Sequence, residues 1–144
     1  MKEAGLTHGG FYAHFRNRDE LVAEAVRAAA HETGQRVFAE QPDARASLRL
    51  YLSSLHAEHP EHGCVVAALG ADAPRQPAPV RKAFGEAARG LLEWIERRLR
   101  PGAARKVPSD EALELGARMV GALVLSRMVE DQELSRRILS VAAR

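Results

Sequence analysis

An all-α fold is what this 144-residue sequence predicts, on three observations. Threonine occurs only at Thr7 and Thr33 and isoleucine only at Ile95 and Ile138, so β-branched content is almost all valine and helix formers dominate. The prolines (Pro42, Pro60, Pro74, Pro77, Pro79, Pro101 and Pro108) fall between stretches of helical periodicity, where a residue with fixed φ and no N–H stops a helix. Between those stops, apolar residues recur at helical spacing behind side chains suited to capping.

The first long segment starts at Asn17, an N-cap with Glu20 three residues on in the manner of a capping box, and Pro42 closes it. Leu21, Val22, Ala25, Val26, Ala29, Val37 and Phe38 carry its period. A second helix from near Asp43 lines up Leu48, Tyr51, Leu52 and Leu55. A short third runs from Cys64 to about Asp72, after Gly63 and before the proline cluster. The fourth has Pro79 in or near its first turn and aligns Phe84, Ala88, Leu91, Leu92, Ile95 and Leu99, up to Pro101-Gly102. The fifth begins at the N-cap Ser109, with Asp110 and Glu111 where the helix dipole favours acids. Leu113, Leu115, Met119, Val120, Leu123, Val124 and Met128 make it apolar on more than one face, so it needs cover on two sides, most simply from a second subunit. The last helix, Asp131 to about Ala142, adds Leu134, Ile138, Leu139 and Val141.

Composition limits the function classes. Hydrophobic residues are 46% and charged residues 28%, a globular balance, and the net charge of +2 is too small to argue nucleic-acid binding from bulk charge. The single cysteine, Cys64, excludes an internal disulfide and fits a cytoplasmic protein. The apolar run Met119 to Ser126 is far short of the ~20 residues a membrane span needs. There is no glycine-rich phosphate loop, nucleophile elbow or acid pair, so no enzyme and no cofactor is expected.

Function is legible at the front. Gly5-Leu6-Thr7-His8-Gly9-Gly10-Phe11-Tyr12-Ala13-His14-Phe15 reads as a tight turn and a very short helix, joined through Arg16 to the long helix that starts at Asn17. Turn, short helix, link and long helix is how the second half of a helix-turn-helix looks on an all-helical body. The run resembles the recognition helix of the TetR family of transcriptional regulators, with its Gly-Val/Leu-Ser/Thr-x-Gly-x-Phe/Leu-Tyr-x-His-Phe pattern. Gly63-Cys64-Val65-Val66-Ala67-Ala68-Leu69 and Val120-Gly121-Ala122-Leu123, Arg127-Met128-Val129, Leu134-Ser135 and Ile138-Leu139 look like the body of one large subgroup.

The resemblance implies a TetR-like helical bundle with a partial helix-turn-helix, residues 1–18 belonging to the DNA reader and 19–144 to a ligand-binding and dimerisation domain. It implies a homodimeric repressor that releases operator DNA when a small molecule tilts the long helix. Carried over, Thr7 caps the recognition helix and bonds a phosphate, and His8 and Gly9 face base edges. Gly10 permits close backbone approach, Tyr12 and His14 contact phosphates, and Arg18, where the family usually has Lys, reaches another. Phe11 and Phe15 pack inward. In the family two further helices precede this point, and Met1–Gly5 aligns with the interior of the second. The expectation is therefore a start upstream of Met1, and a chain that, as written, binds operator poorly. A helix of about eight residues without its partner is below the ~12–15 residues of marginal stability.

Phe38, Tyr51, Phe84, Trp94 and Met119 are candidate walls of a cavity for a mostly apolar ligand, since bundles keep such pockets between helices. Leu113, Val120, Leu123, Val124, Met128, Leu134 and Ile138 are the candidate dimer contacts, the final two helices pairing with their copies as a four-helix bundle. His56, His59, His62 and Cys64 have metal-binding chemistry, but Pro60 breaks the helix between them and a solvated helix end is the preferred reading; no metal is expected. Cys64 is a thiol-sensor candidate or a small buried filler. Arg97, Arg98, Arg100, Arg105 and Lys106 lack interleaved aromatics and read as a solvated loop. The alternative function is a helical protein that binds a small molecule or a partner and no DNA.

Overall fold

The computed structural model describes residues 14–102 and 107–144, and every regular element among them is helical. Helix α1 is Arg18–Gly34. The Asn17 side chain accepts from the Glu20 N–H at 2.9 Å, while Glu20 Oε2 accepts from the Arg16 N–H at 2.6 Å, so the capping pair satisfies two free donors. Beyond Gly34 the chain continues as a π-helical turn, Gln35–Ala39, rather than as plain α-helix up to Pro42. That wider turn leaves the consecutive residues Val37 and Phe38 both buried.

Helix α2 is Ala44–Tyr51, capped by Asp43 on the Ala46 N–H at 2.7 Å. The segment expected to continue instead stops at Leu52 and restarts as α3, Ser54–Glu58, because the Ser53 hydroxyl takes the His56 N–H at 3.1 Å and offers a new cap. A 3₁₀ turn, Pro60–His62, leads to α4, Val65–Leu69. A second 3₁₀ stretch, Gly70–Arg75, follows and contains Pro74, so this proline lies inside a turn of helix and not between elements. Helix α5 is Ala78–Leu99, with Pro79 in its first turn. Helix α6 is Asp110–Met128, capped by Ser109, and α7 is Gln132–Ala142, whose cap Asp131 accepts from the Glu133 and Leu134 N–H groups at 2.8 and 3.2 Å.

Helix α1 lies along α5, and α6 packs on α5 on one side and α7 on another. The main core joins the π turn, α2 and α4 to α5, α6 and α7 through Val37, Phe38, Tyr51, Ile95, Met119, Leu123 and Leu139. A smaller core of Ala23, Val26, Val65, Val80, Ala83, Phe84 and Ala87 joins α1 to α4 and the start of α5. The α5–α6 corner is pinned by a buried acid: Glu96 Oε2 accepts from the Ser109 N–H at 2.9 Å and from its hydroxyl at 2.5 Å. Among the described residues no helix is long and apolar enough to cross a membrane.

Candidate functional site

Residues of α1, the π turn, α4 and α5 line a half-open cavity of about 220 Å³, walled by Thr33, Gly34, Phe38, Cys64, Val66, Leu91 and Trp94 among others. Phe38 comes from the π turn and Trp94 from α5, and their rings stack at 6.2 Å between centroids and 16° between planes. The outer side of Trp94 carries the Arg97 guanidinium, 4.5 Å from the ring centroid. Gly34 makes the arrangement possible, since a Cβ at that position would stand 2.6 Å from Trp94 Nε1. Thr33 is buried and donates its hydroxyl to the Gly63 carbonyl at 3.1 Å, tying α1 to the loop before Cys64. At the solvent edge Arg27 Nε meets Glu86 Oε2 at 2.7 Å, and the same bond is the main cause raising the arginine's pKa and lowering the carboxylate's. The result is a flat aromatic slot with a charged rim, a shape for an apolar or aromatic molecule with a polar end facing Arg27, His31 or Glu86.

Behind Cys64 lies a second, polar arrangement. The buried His56 ring accepts from the Cys64 backbone N–H on Nε2 at 2.9 Å, so its proton is on Nδ1 and is donated to the Tyr51 carbonyl at 2.6 Å. Burial lowers the His56 pKa to about 4; the bond to Tyr51 opposes this, and the neighbouring Arg127 and Arg36 charges add to it. The ring also stands edge-on to Tyr51 at 4.8 Å. From α6, Arg127 reaches the same place and donates to the His56 and Ala57 carbonyls at 2.8 and 3.1 Å. Arg127 thereby binds the end of α3 to α6.

The chain shares its fold with a solved structure, E. coli NemR in its reduced form. The two align with a TM-score of 0.72 at 20% sequence identity, over 98% of this chain and 80% of that one. No protein-family model and no curated protein matches the sequence.

Of the five residues expected to line a ligand cavity, the structure brings Phe38 and Trp94 together in this wall. Tyr51 and Met119 are instead enclosed in the main core and Phe84 in the smaller one, packed among neighbouring helices rather than lining the slot. Sequence reading passed over Gly34 and Gly90, whose missing side chains open the space, and Arg127; a glycine inside a helical period was the only signal. Among the DNA-reading candidates, Thr7, His8, Gly9, Gly10 and Tyr12 lie outside the described residues, and His14 and Arg18 are exposed.

The candidate dimer residues divide. Leu113, Met128 and Leu134 are 42%, 73% and 45% exposed, together with Leu125 and Val141. Val120, Val124 and Ile138 are half-buried against the protomer's own core. Leu123 is fully buried inside the protomer and has no surface to offer a partner, which corrects its place in the expected set.

The histidines do not converge. Both His56 ring nitrogens are occupied and His59 pairs with Glu61 at 3.0 Å; no group of three or more His, Cys, Asp or Glu among the described residues could hold a metal ion. The arginines near Pro101 are paired rather than free: Arg98 with the Gln41 carbonyl at 2.9 Å and Arg100 with Glu111 at 2.9 Å. Arg105 and Lys106 lie outside the described residues.

Proposed function

We propose that this chain is the sensing and dimerising body of a ligand-responsive transcriptional repressor of the TetR type. The observation that carries the reading is the position of the cavity. Its wall includes Arg27, Ala30, His31, Thr33 and Gly34 of α1, the helix that follows directly from the Gly5–Phe15 reading motif. A molecule filling the slot between Phe38, Trp94 and α1 displaces the helix that carries the reading head, which is the differential contact a two-state switch requires. The regulator-like helical fold shared with NemR supports the same reading.

A homodimer goes with it. Leu125 on α6 and Leu134, Ile138 and Val141 on α7 line one shallow, mostly apolar groove together with the small residues Ala117 and Gly121, bordered by Arg118 and Arg137. A Cβ on Gly121 would touch nothing within this protomer. Small residues beside exposed leucines suit the close approach of a second copy of α6 and α7 about a two-fold axis.

The test is fluorescence anisotropy on DNA from the gene's own promoter, with this chain and with one extended by whatever in-frame residues the gene encodes before Met1. The extended chain should bind and release the DNA on addition of an apolar compound that occupies the slot. Failure of both chains to bind that DNA would leave the helical binding protein as the better reading.

A further inference from the structure

Two contacts between α1 and α5 bound the slot, and they differ in kind. At one, Gly34 meets the Trp94 ring, where a Cβ would stand 2.6 Å from Nε1. At the other, Arg27 Nε donates to Glu86 Oε2 at 2.7 Å. Gly34 follows Arg27 by seven residues and Trp94 follows Glu86 by eight, so the contacts share one stripe of each helix and lie about 10 Å apart along the axes. Between them the lining residues include Ala30, Ala87 and Gly90, whose small or absent side chains leave the space open. The slot therefore fits a molecule that is flat at Trp94 and Phe38 and polar about 10 Å away.

The sign of the polar end follows from which groups still have bonds to give. Glu86 faces a cation on each oxygen, Arg27 on Oε2 and Lys82 Nζ at 3.9 Å from Oε1. Arg27 gives Nε to Glu86 and Nη1 to Glu24, which leaves Nη2 without an acceptor among the described residues. Nε and Nη2 share one edge of the guanidinium, the edge that holds a carboxylate with two parallel bonds, and Glu86 uses only half of it. The Trp94 indole N–H, which can only donate, has no acceptor among the described residues either. A cationic guest would have to stand beside Arg27 and Lys82, whereas an anionic one meets open donors.

We propose that the slot takes an aryl carboxylate: its ring lies against Trp94 and Phe38, and its carboxylate takes the Nε–Nη2 edge of Arg27 in place of Glu86. The exchange removes an ion pair that ties α1 to α5, so occupancy itself loosens the long helix. This names the ligand class for the sensing role proposed above, and rests on that reading for its purpose.

Isothermal titration calorimetry of the chain alone tests it, with 4-phenylbutanoate, 4-phenylbutanamide, 4-phenylbutylamine and 4-cyclohexylbutanoate as probes. The aryl acid should bind about fivefold or more tighter than its amide or the amine, and about threefold or more tighter than the cyclohexyl acid, which lacks a flat ring. Arg27→Gln should erase the difference between acid and amide. Glu86→Gln removes the competing carboxylate, so it should tighten the acid about threefold and leave the amide unchanged. Both side chains are exposed at the rim, so neither substitution opens the core. An aryl acid no tighter than its amide or the cyclohexyl acid, an amine tighter than the acid, or an acid weakened by Glu86→Gln overturns the proposal. No DNA enters the measurement, so these results and those of the operator test fail or succeed separately.

Discussion

His56 Nε2 accepts the backbone N–H of Cys64 at 2.9 Å, which makes a neutral ring a structural requirement at the junction of α3, α4 and α6. Protonation would place a second donor against that N–H and a charge beside Arg127. The folded pKa of about 4 lies below the ordinary value of 6.5, so the unfolded chain binds the extra proton first as pH falls. The stability is therefore complete above pH 6.5 and is lost between there and about 4, by roughly 3 kcal/mol. The His56 imidazole followed by NMR should titrate near 4 with its proton on Nδ1. A midpoint near 6.5 would contradict the buried geometry.

Gly34→Ala sets two effects against each other. Alanine in a helix is worth about 1 kcal/mol over glycine, but overpacking a core costs about 1–3 kcal/mol. The new Cβ would stand 2.6 Å from the rigid Trp94 ring, so packing wins. A net loss of about 1 kcal/mol is expected in urea unfolding, along with weaker binding of any ligand held against Trp94.

Gly90→Leu should have the opposite sign. Gly90 borders the cavity and a Cβ there meets nothing within 4 Å. The leucine gains helix propensity and fills open space, for about 1–2 kcal/mol of added stability. It also occupies the slot, so thermal melts should show a more stable protein, and titration with any compound that the parent slot holds should show weaker binding.

Leu134→Glu combined with Val141→Glu places two charges in the apolar groove of α7 without touching the core. Light scattering after size exclusion should show a monomer where the parent chain is a dimer, with an unchanged far-UV spectrum. Two monomers, or two dimers, would remove this face as the subunit interface.

Glu96→Ala should destabilise the α5–α6 corner by about 3 kcal/mol, because the Ser109 N–H and hydroxyl lose a buried charged acceptor together. Urea unfolding measures this, and Glu96→Gln should recover part of it by keeping an oxygen in place.

Helices with a local signature were readable from the sequence: Asn17, Asp43, Ser109 and Asp131 each cap the helix that follows them. The break at Leu52–Ser53 and the π turn at Gln35–Ala39 were hidden, since both keep a helical period and differ only in which hydrogen bonds tertiary packing favours. Phe38 and Trp94 were two of five large side chains expected at a cavity wall, and nothing in their spacing distinguished them from the other three. Tyr51, Phe84 and Met119 have the same chemistry, and only the three-dimensional rotation of their helices sends them elsewhere. Arg127 was illegible for another reason. Its role rests on the His56 and Ala57 carbonyls some seventy positions earlier, and backbone acceptors leave no trace in a sequence.

Trp94 is the only tryptophan in the chain, and it is stacked on Phe38 beneath Arg97 at the wall of the slot. The protein therefore contains its own optical probe. Indole emission excited at the red edge comes from this one ring, so a compound entering the slot changes the colour or yield of all of it. Testing whether a compound occupies the slot needs no label and no DNA, only a fluorimeter and a library of small apolar compounds.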